Sequence, residues 1–262
     1  MARGLGTRMR RPDEQAALGA AQAAAADTGV KGMIPIRRPF LEYLLSALAD
    51  AGIDEVVLVI GPEHDAVRRH FTDDAPPRRV RVRFAIQEEP LGTADAVRAA
   101  AAVIGDAPFL VLNADNYYPV AAYAALAAEA TPGTIAFDRE ALVADGAIDR
   151  ERVRAFAVLS VSPEGRLTGL IEKPGASLDL TSPEARWVGM NLWAVTPVIV
   201  DACRRVPRSA RGEYELPEAV ALAIREGVAI RAIPMAATVL DLSQRADIAG
   251  VTARLAAVEP MP

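Results

Sequence analysis

The feature that most constrains the fold is a repeated order of amphipathic helix and short apolar strand. Residues 40–61, FLEYLLSALADAGIDEVVLVIG, carry apolar side chains at helical spacing as far as Gly52 and then an unbroken apolar run, Val56, Val57, Leu58, Val59 and Ile60. A run with no polar alternation suits a strand covered on both faces, as in a parallel sheet. A helix over residues 63–71, a Pro76-Pro77 break and the strand RVRVRFAIQ follow. GTADAVRAAAAVIG then reads as a helix, and PFLVLNADN as a buried strand with a polar, acidic tip. This alternation predicts an α/β fold with a doubly wound, mostly parallel sheet, in which ligands collect at the carboxyl ends of the strands.

From Thr131 onward the rhythm changes to short β segments, GTIAF, RAFAVLSV, GRLTGLIEKP and WVGMNLWAV, which read as added antiparallel strands. The chain returns to helix at ELPEAVALAIREG, to strands at VAIRAIPM and ATVLDL, and to a last helix from Ser243. With 262 residues, 52% of them hydrophobic, one domain spanning 1–262 is expected. Residues 9–30 read as an insertion: Pro12 and Asp13 start an alanine-rich helix without large apolar anchors, Gly29 ends it, and mobility follows.

Composition excludes several functions. A net charge of −5 with scattered arginines argues against a nucleic-acid surface. Cys203 is the only cysteine, which rules out an internal disulfide and a cysteine-based zinc cage and suits a small apolar role on a helix. His64 and His70, the only histidines, lack metal-binding spacing and read as surface or packing residues. The alanine-rich stretch 16–26 lacks the apolar run a bilayer requires, and RMRRPDEQ replaces the apolar core of a signal peptide. A cytoplasmic protein is expected.

Four stretches at strand ends or in loops carry chemistry: GLGTR with the later Lys31, QEEPLGTADA, NADN, and DLSQRADI. Gly4 and Gly6 remove side chains so that backbone N–H groups can approach phosphate, and Arg8 adds a permanently charged fork. Asp115 and Asp241 each follow an apolar strand and offer hard oxygen ligands of the kind Mg²⁺ takes. A helix N-cap is the plainer role for Asp241. Gln87 offers a donor and an acceptor together, which matches the adjacent carbonyl and N–H of uracil or thymine. It could equally cap the turn before Pro90.

Taken together, Gly-x-Gly-Thr-Arg, Lys31 with Pro35, Gln87, Leu91-Gly92-Thr93-Ala94, Asp115-Asn116, Glu172-Lys173-Pro174 and Asp241 resemble the sugar-1-phosphate nucleotidylyltransferases, in family order and through nearly the whole chain. The resemblance implies a Rossmann-like nucleotidyltransferase fold and transfer of a nucleotide from UTP or dTTP to a sugar 1-phosphate, with release of pyrophosphate. It implies that Arg8 and Lys31 act in catalysis; that Gly4, Leu5, Gly6, Thr7, Gln87, Leu91, Gly92 and Thr93 hold the nucleotide; that Asn113, Glu172, Lys173 and Asn191 hold the sugar phosphate; and that Asp115 and Asp241 share one Mg²⁺. The partners are then the two substrates, without nucleic acid or membrane, and a homo-oligomer stays open. Asn191 stands where many relatives carry glycine, and Arg3 before the loop, Ala114 in place of a frequent glycine and Ser243 after the late aspartate are further departures. In that family the loop leaves a central parallel strand, so residues 1–3 leave the first strand apparently missing. Two other functions fit the same residues: a non-catalytic nucleotide-sugar-binding regulatory subunit, and nucleotidyl transfer to a non-sugar phosphate. Trp187 and Trp193 flank the sugar stretch, with packing the default role for both.

Overall fold

A computed structural model describes residues 1, 3, 4, 6–13, 15–144 and 147–262. In chain order its elements are α1 (Thr7–Arg10), α2 (Ala20–Thr28), α3 (Phe40–Asp50), β1 (Glu55–Ile60), α4 (Asp65–Arg69), β2 (Arg81–Ile86), α5 (Thr93–Ile104), β3 (Phe109–Val111), β4 (Asn116–Tyr117), α6 (Val120–Ala127) and β5 (Gly133–Asp138). There follow α7 (Arg139–Val143), β6 (Ala157–Val161), β7 (Leu167–Ile171), β8 (Trp187–Gly189), β9 (Trp193–Val195), α8 (Pro197–Arg205), α9 (Leu216–Arg225), β10 (Arg231–Met235), β11 (Leu240–Asp241) and α10 (Asp247–Leu255). The residues group into two units, Met1–Pro90 with Asn113–Val120 and Leu240–Pro262, and Leu91–Leu112 with Ala121–Val239.

In the first unit α3 buries Phe40, Leu41, Tyr43, Leu44, Leu45 and Leu48. Proline at its start has no N–H to waste, and Gly52, at φ 83°, turns the chain out of it. β1 and β2 then pair in parallel from Glu55 opposite Arg81 to Ile60 opposite Ile86, joined through α4. The carboxyl end of the chain lies on the same unit: Met261 N–H donates to Ser46 Oγ at 3.0 Å and Arg78 N–H to the Pro262 carbonyl at 2.8 Å. His70 takes a packing role, its Nε2 lying 2.8 Å from the buried Glu42 carboxylate.

The second unit is built on a seven-stranded sheet in the order β3-β9-β5-β8-β6-β7, with β10 on the other edge of β5. β5 is its axis, pairing antiparallel with β8 and β9 and parallel with β10. The stretch WVGMNLWAV, expected as one strand, is two: Asn191 at φ 58° breaks it, and the halves pair with β5 one after the other. Cys203 is buried on α8, and burial pushes its thiol up to about 12, so the bland reading of this residue holds.

The expectation of a mostly parallel sheet requires correction. Parallel pairing is confined to β1 with β2 and β5 with β10; every other ladder among the described residues is antiparallel. The short turn at Gly165 makes β6 and β7 antiparallel neighbours, whereas the other antiparallel ladders join strands far apart in the chain. PFLVLNADN also divides, because Ala114 N–H turns to the Met1 carbonyl at 3.0 Å before β4 begins. Among the described residues before Thr7 none is in a strand, and β1 pairs with β2 alone.

Phe137 is fully buried on β5, where three neighbouring strands meet. Phe137→Ala is expected to destabilise the fold by about 3–5 kcal/mol, read as a fall in denaturant midpoint with little change in slope.

Candidate functional site

The first unit brings together Lys31, Asp115 and Asp241. β4 and β11 form an antiparallel ladder two residues long, with Asp241 opposite Asn116 and Leu240 opposite Tyr117, and Leu242 N–H extends it to the Asp115 carbonyl at 2.8 Å. Asp241 therefore stands across from the residue next to Asp115. Its carboxylate is buried and accepts from Asn116 Nδ2 at 3.1 Å and from Ser243 Oγ at 2.9 Å. Burial of a carboxylate is tolerated only when such donors replace water. The N-cap position of α10 is held by Ala246 rather than by Asp241, and Asp247 accepts from the N–H groups of Ser243 and Gln244 at 2.8 Å each.

Asp115 is partly exposed, and its Oδ2 lies 2.6 Å from Lys31 Nζ. Among the described residues its Oδ1 accepts no hydrogen bond. Burial pushes the Met1 α-amino group down to about 6, against the opposing influence of the Asp115 charge. Two carboxylates on adjacent backbone, one with an unused oxygen, fit a hard divalent cation that takes few protein oxygens and completes its shell from phosphate and water. No cluster of three or more acidic, histidine or cysteine ligands exists among the described residues.

The glycine loop lies in the same unit. Gly6, at φ 60°, opens α1, and a side chain there would strike the Gly29 carbonyl. Arg10 Nη2 donates to the Thr28 carbonyl at 2.7 Å, and Arg245 Nε donates to the Met9 carbonyl at 2.9 Å while its guanidinium pairs with Asp27. The alanine helix α2 is thus tied at its carboxyl end to α1, and Lys31 follows two residues after its Gly29 cap. Thr7 and Arg8 are exposed, and Arg8 has no hydrogen-bond or ion-pair partner among the described residues. Gly4 is exposed, Asn113 is half-buried, and Leu5 lies outside the described residues.

Gln87 follows β2 and is 2% exposed. Its N–H donates to the Ile60 carbonyl at 2.9 Å and its carbonyl accepts from Arg3. Arg3 in turn grips Glu63 with Nε and Nη2, each at 3.2 Å. Glu63 is held below the usual carboxylate range, first by a hydrogen bond to its own backbone, with the Arg3 guanidinium acting in the same sense. His64 is buried, which lowers its pKa; its Nδ1 accepts from Gly61 N–H at 3.2 Å, so it is a neutral packing residue.

The second unit holds the remaining expected residues. Leu91-Gly92-Thr93 is bound to the segment before α9: Tyr214 N–H donates to the Leu91 carbonyl at 2.7 Å, Ala94 N–H to the Tyr214 carbonyl at 2.8 Å, and Leu216 N–H to Thr93 Oγ1 at 2.8 Å. Gly92 sits at φ 104°, and a Cβ there would lie 2.5 Å from the Tyr214 carbonyl. Glu172 and Lys173 pair with each other at 3.0 Å past the end of β7, and Lys173 adopts φ 48°. Arg154 steadies the turn that follows by donating to the Leu178 carbonyl. Glu215, also buried, is pushed up by burial, but the Arg211 guanidinium at 2.7 Å and Ser209 outweigh this and hold it below the usual carboxylate range; the charge of Lys173 acts in the same sense. Trp193 is buried, and the Arg186 guanidinium lies 4.4 Å from the Trp187 ring centre.

Sequence reasoning did not foresee the contacts made by Arg3, Ser243, Arg245, Arg154 and the Arg211–Glu215 pair. The spacing of Arg211 and Glu215 was one visible signal, since a charge pair four apart is self-satisfying in a turn or helix. Ser243 meets the Asp241 carboxylate two residues away, whereas Arg3, Arg245 and Arg154 each reach a distant backbone carbonyl, which no local pattern announces.

The nucleotidyl transferase family model matches residues 28–240. UTP–glucose-1-phosphate uridylyltransferase AglF of Haloferax volcanii is 29% identical over 223 residues, 83% of this chain and 84% of that protein. Glucose-1-phosphate thymidylyltransferase of Streptomyces antibioticus is 29% identical over 224 residues, 84% of this chain but 59% of that longer protein. A solved structure of UDP-glucose pyrophosphorylase complexed with UDP-glucose shares the fold, with a TM-score of 0.74 over 97% of this chain and 96% of the other at 16% identity. Among the described residues no helix is long and apolar enough to cross a membrane.

Gly92→Ala should be strongly damaging for a single-methyl change. It places a Cβ residue at φ 104° and against a carbonyl oxygen, so a loss of about 2–4 kcal/mol is expected in denaturant unfolding, more than the ~0.5 kcal/mol of an ordinary surface substitution.

Proposed function

The chain belongs to the nucleotidyl transferase family, and from that premise we propose that it joins a pyrimidine nucleoside triphosphate, UTP or dTTP, to a sugar 1-phosphate and releases pyrophosphate. The observation that carries the reading is the pairing of Lys31 with Asp115 beside Asp241 in the β4·β11 ladder. In the reaction an oxygen of the sugar phosphate attacks the α-phosphorus of the triphosphate. The bond to the bridging oxygen breaks, and its electron pair leaves with pyrophosphate. Such a transfer asks for positioning and for neutralisation of negative charge.

Asp115 and Asp241 would hold Mg²⁺, which when bound supplies charge neutralisation at the phosphates. Lys31 supplies a compact cation beside Asp115, and Arg8, exposed and without a partner among the described residues, is available to the triphosphate as a planar, permanently charged donor. We assign phosphate contacts to the backbone of Gly4, Leu5, Gly6 and Thr7, and base recognition to Gln87 and to the backbone of Leu91, Gly92 and Thr93. Asn113, Glu172, Lys173 and Asn191 take the sugar phosphate, with Lys173 as phosphate cation and Glu172 as acceptor for sugar hydroxyls. Support for the base assignment comes from the uridylyl- and thymidylyl-transferring relatives.

The test incubates the protein with Mg²⁺, a panel of triphosphates and a panel of sugar 1-phosphates while pyrophosphate is monitored. Turnover with UTP or dTTP above other triphosphates is expected. Binding without pyrophosphate release would mark a non-catalytic nucleotide-sugar-binding protein instead. Asp115→Asn and Asp241→Asn should each lower turnover about a thousandfold while leaving far-UV circular dichroism unchanged, because a neutral amide is a poor Mg²⁺ ligand.

A further inference from the structure

We infer that Arg3 is a positioning residue that couples the glycine loop to Gln87 and thereby sets both triphosphate affinity and base preference. The inference rests on the assignment of Gln87 to the base. Arg3 immediately precedes Gly4, yet its guanidinium reaches across the ends of β1 and β2. Nη1 donates to the Gln87 carbonyl, while Nε and Nη2 take Glu63 bidentately at 3.2 Å each. The Arg3 side chain is 9% exposed and its bond to the Gln87 carbonyl is partly buried, while the bonds to Glu63 lie on the solvent side.

The consequence for Gln87 is geometric. With its N–H committed to the Ile60 carbonyl and its carbonyl to Arg3, the backbone of Gln87 is fixed on both sides, and with it the direction from which its amide starts. The same guanidinium fixes the entry to the glycine loop, so one group spans two assigned elements. Gly61 is part of the arrangement: a Cβ there would lie 2.5 Å from Arg3 Nε and would also collide with Glu63. Lysine cannot replace this contact, because an ammonium presents no fork and cannot hold a carboxylate edge and a separate carbonyl in one plane.

Binding of UTP, CTP, ATP and GTP, each without sugar phosphate, is measured by calorimetry on the full chain as wild type, Arg3→Lys and Glu63→Gln, with melting temperature recorded alongside. Both variants are expected to bind UTP about tenfold more weakly, the loss of one charge-assisted contact, and to lose part of the preference for UTP over the purine triphosphates. Glu63 is more than half exposed, so Glu63→Gln keeps the test valid if Arg3→Lys folds poorly. Unchanged constants overturn the inference. So does an equal loss for every triphosphate, which would mean simple anchoring, and so does tighter binding, which would mean that Arg3 obstructs the site. A wild type that binds and discriminates triphosphates but releases no pyrophosphate overturns the proposed turnover and leaves the role of Arg3 standing. A wild type that binds none of them overturns both.

Discussion

The first unit depends on a ladder only two residues long. β4 and β11 come from segments more than a hundred residues apart in the chain, and their pairing sets Asp241 opposite Asn116, one residue from Asp115. Without it the last stretch, Leu240–Pro262, would have no β pairing to this unit. A ladder this short is weak by itself, and polar groups around it supply what its backbone bonds do not. Asn116 and Ser243 satisfy the buried Asp241 carboxylate, and Lys31 covers one oxygen of Asp115. The contacts that close the unit are therefore the contacts that gather its carboxylates. Substitutions here would act on stability and chemistry together.

The glycine loop presents a related problem. Glycines allow close approach to phosphate but contribute no side chains to fix their own position. Three guanidinium groups do that instead: Arg3 on Glu63 and the Gln87 carbonyl, Arg10 on the Thr28 carbonyl, and Arg245 on the Met9 carbonyl and Asp27. Two of these close on α1 and α2, which makes the alanine-rich segment a support for the backbone that leads to Lys31. Arg154 does similar work in the second unit, where it holds the turn after Lys173 through a backbone carbonyl. Arginine suits this task because its planar fork can bind two acceptors at once and never loses its charge.

Much was legible in the sequence because it is encoded over short distances. Helical spacing with the Gly52 stop placed α3, and the apolar run placed β1. The ordered set of Gly-x-Gly-Thr-Arg, Lys31, Leu91-Gly92-Thr93 and Asp115 carried the family. Pairing was only partly legible, because a strand's partner lies outside any local window: β1 and β2 pair in parallel as their apolar runs suggested, but β3 pairs antiparallel with the distant β9. The single positive φ at Asn191 that splits one expected strand into two was not legible, although asparagine tolerates that region better than most residues. The sequence by itself determined which side chains are available, an acidic strand tip, a late aspartate, a lysine after an alanine helix, and the local elements that bear them. Only tertiary structure decided that Asp241 meets Asn116 beside Asp115, that Lys31 pairs with Asp115, and that Arg3 holds the end of β2, because each is a contact between residues far apart in the chain, and such contacts are selected by the packing of the whole unit.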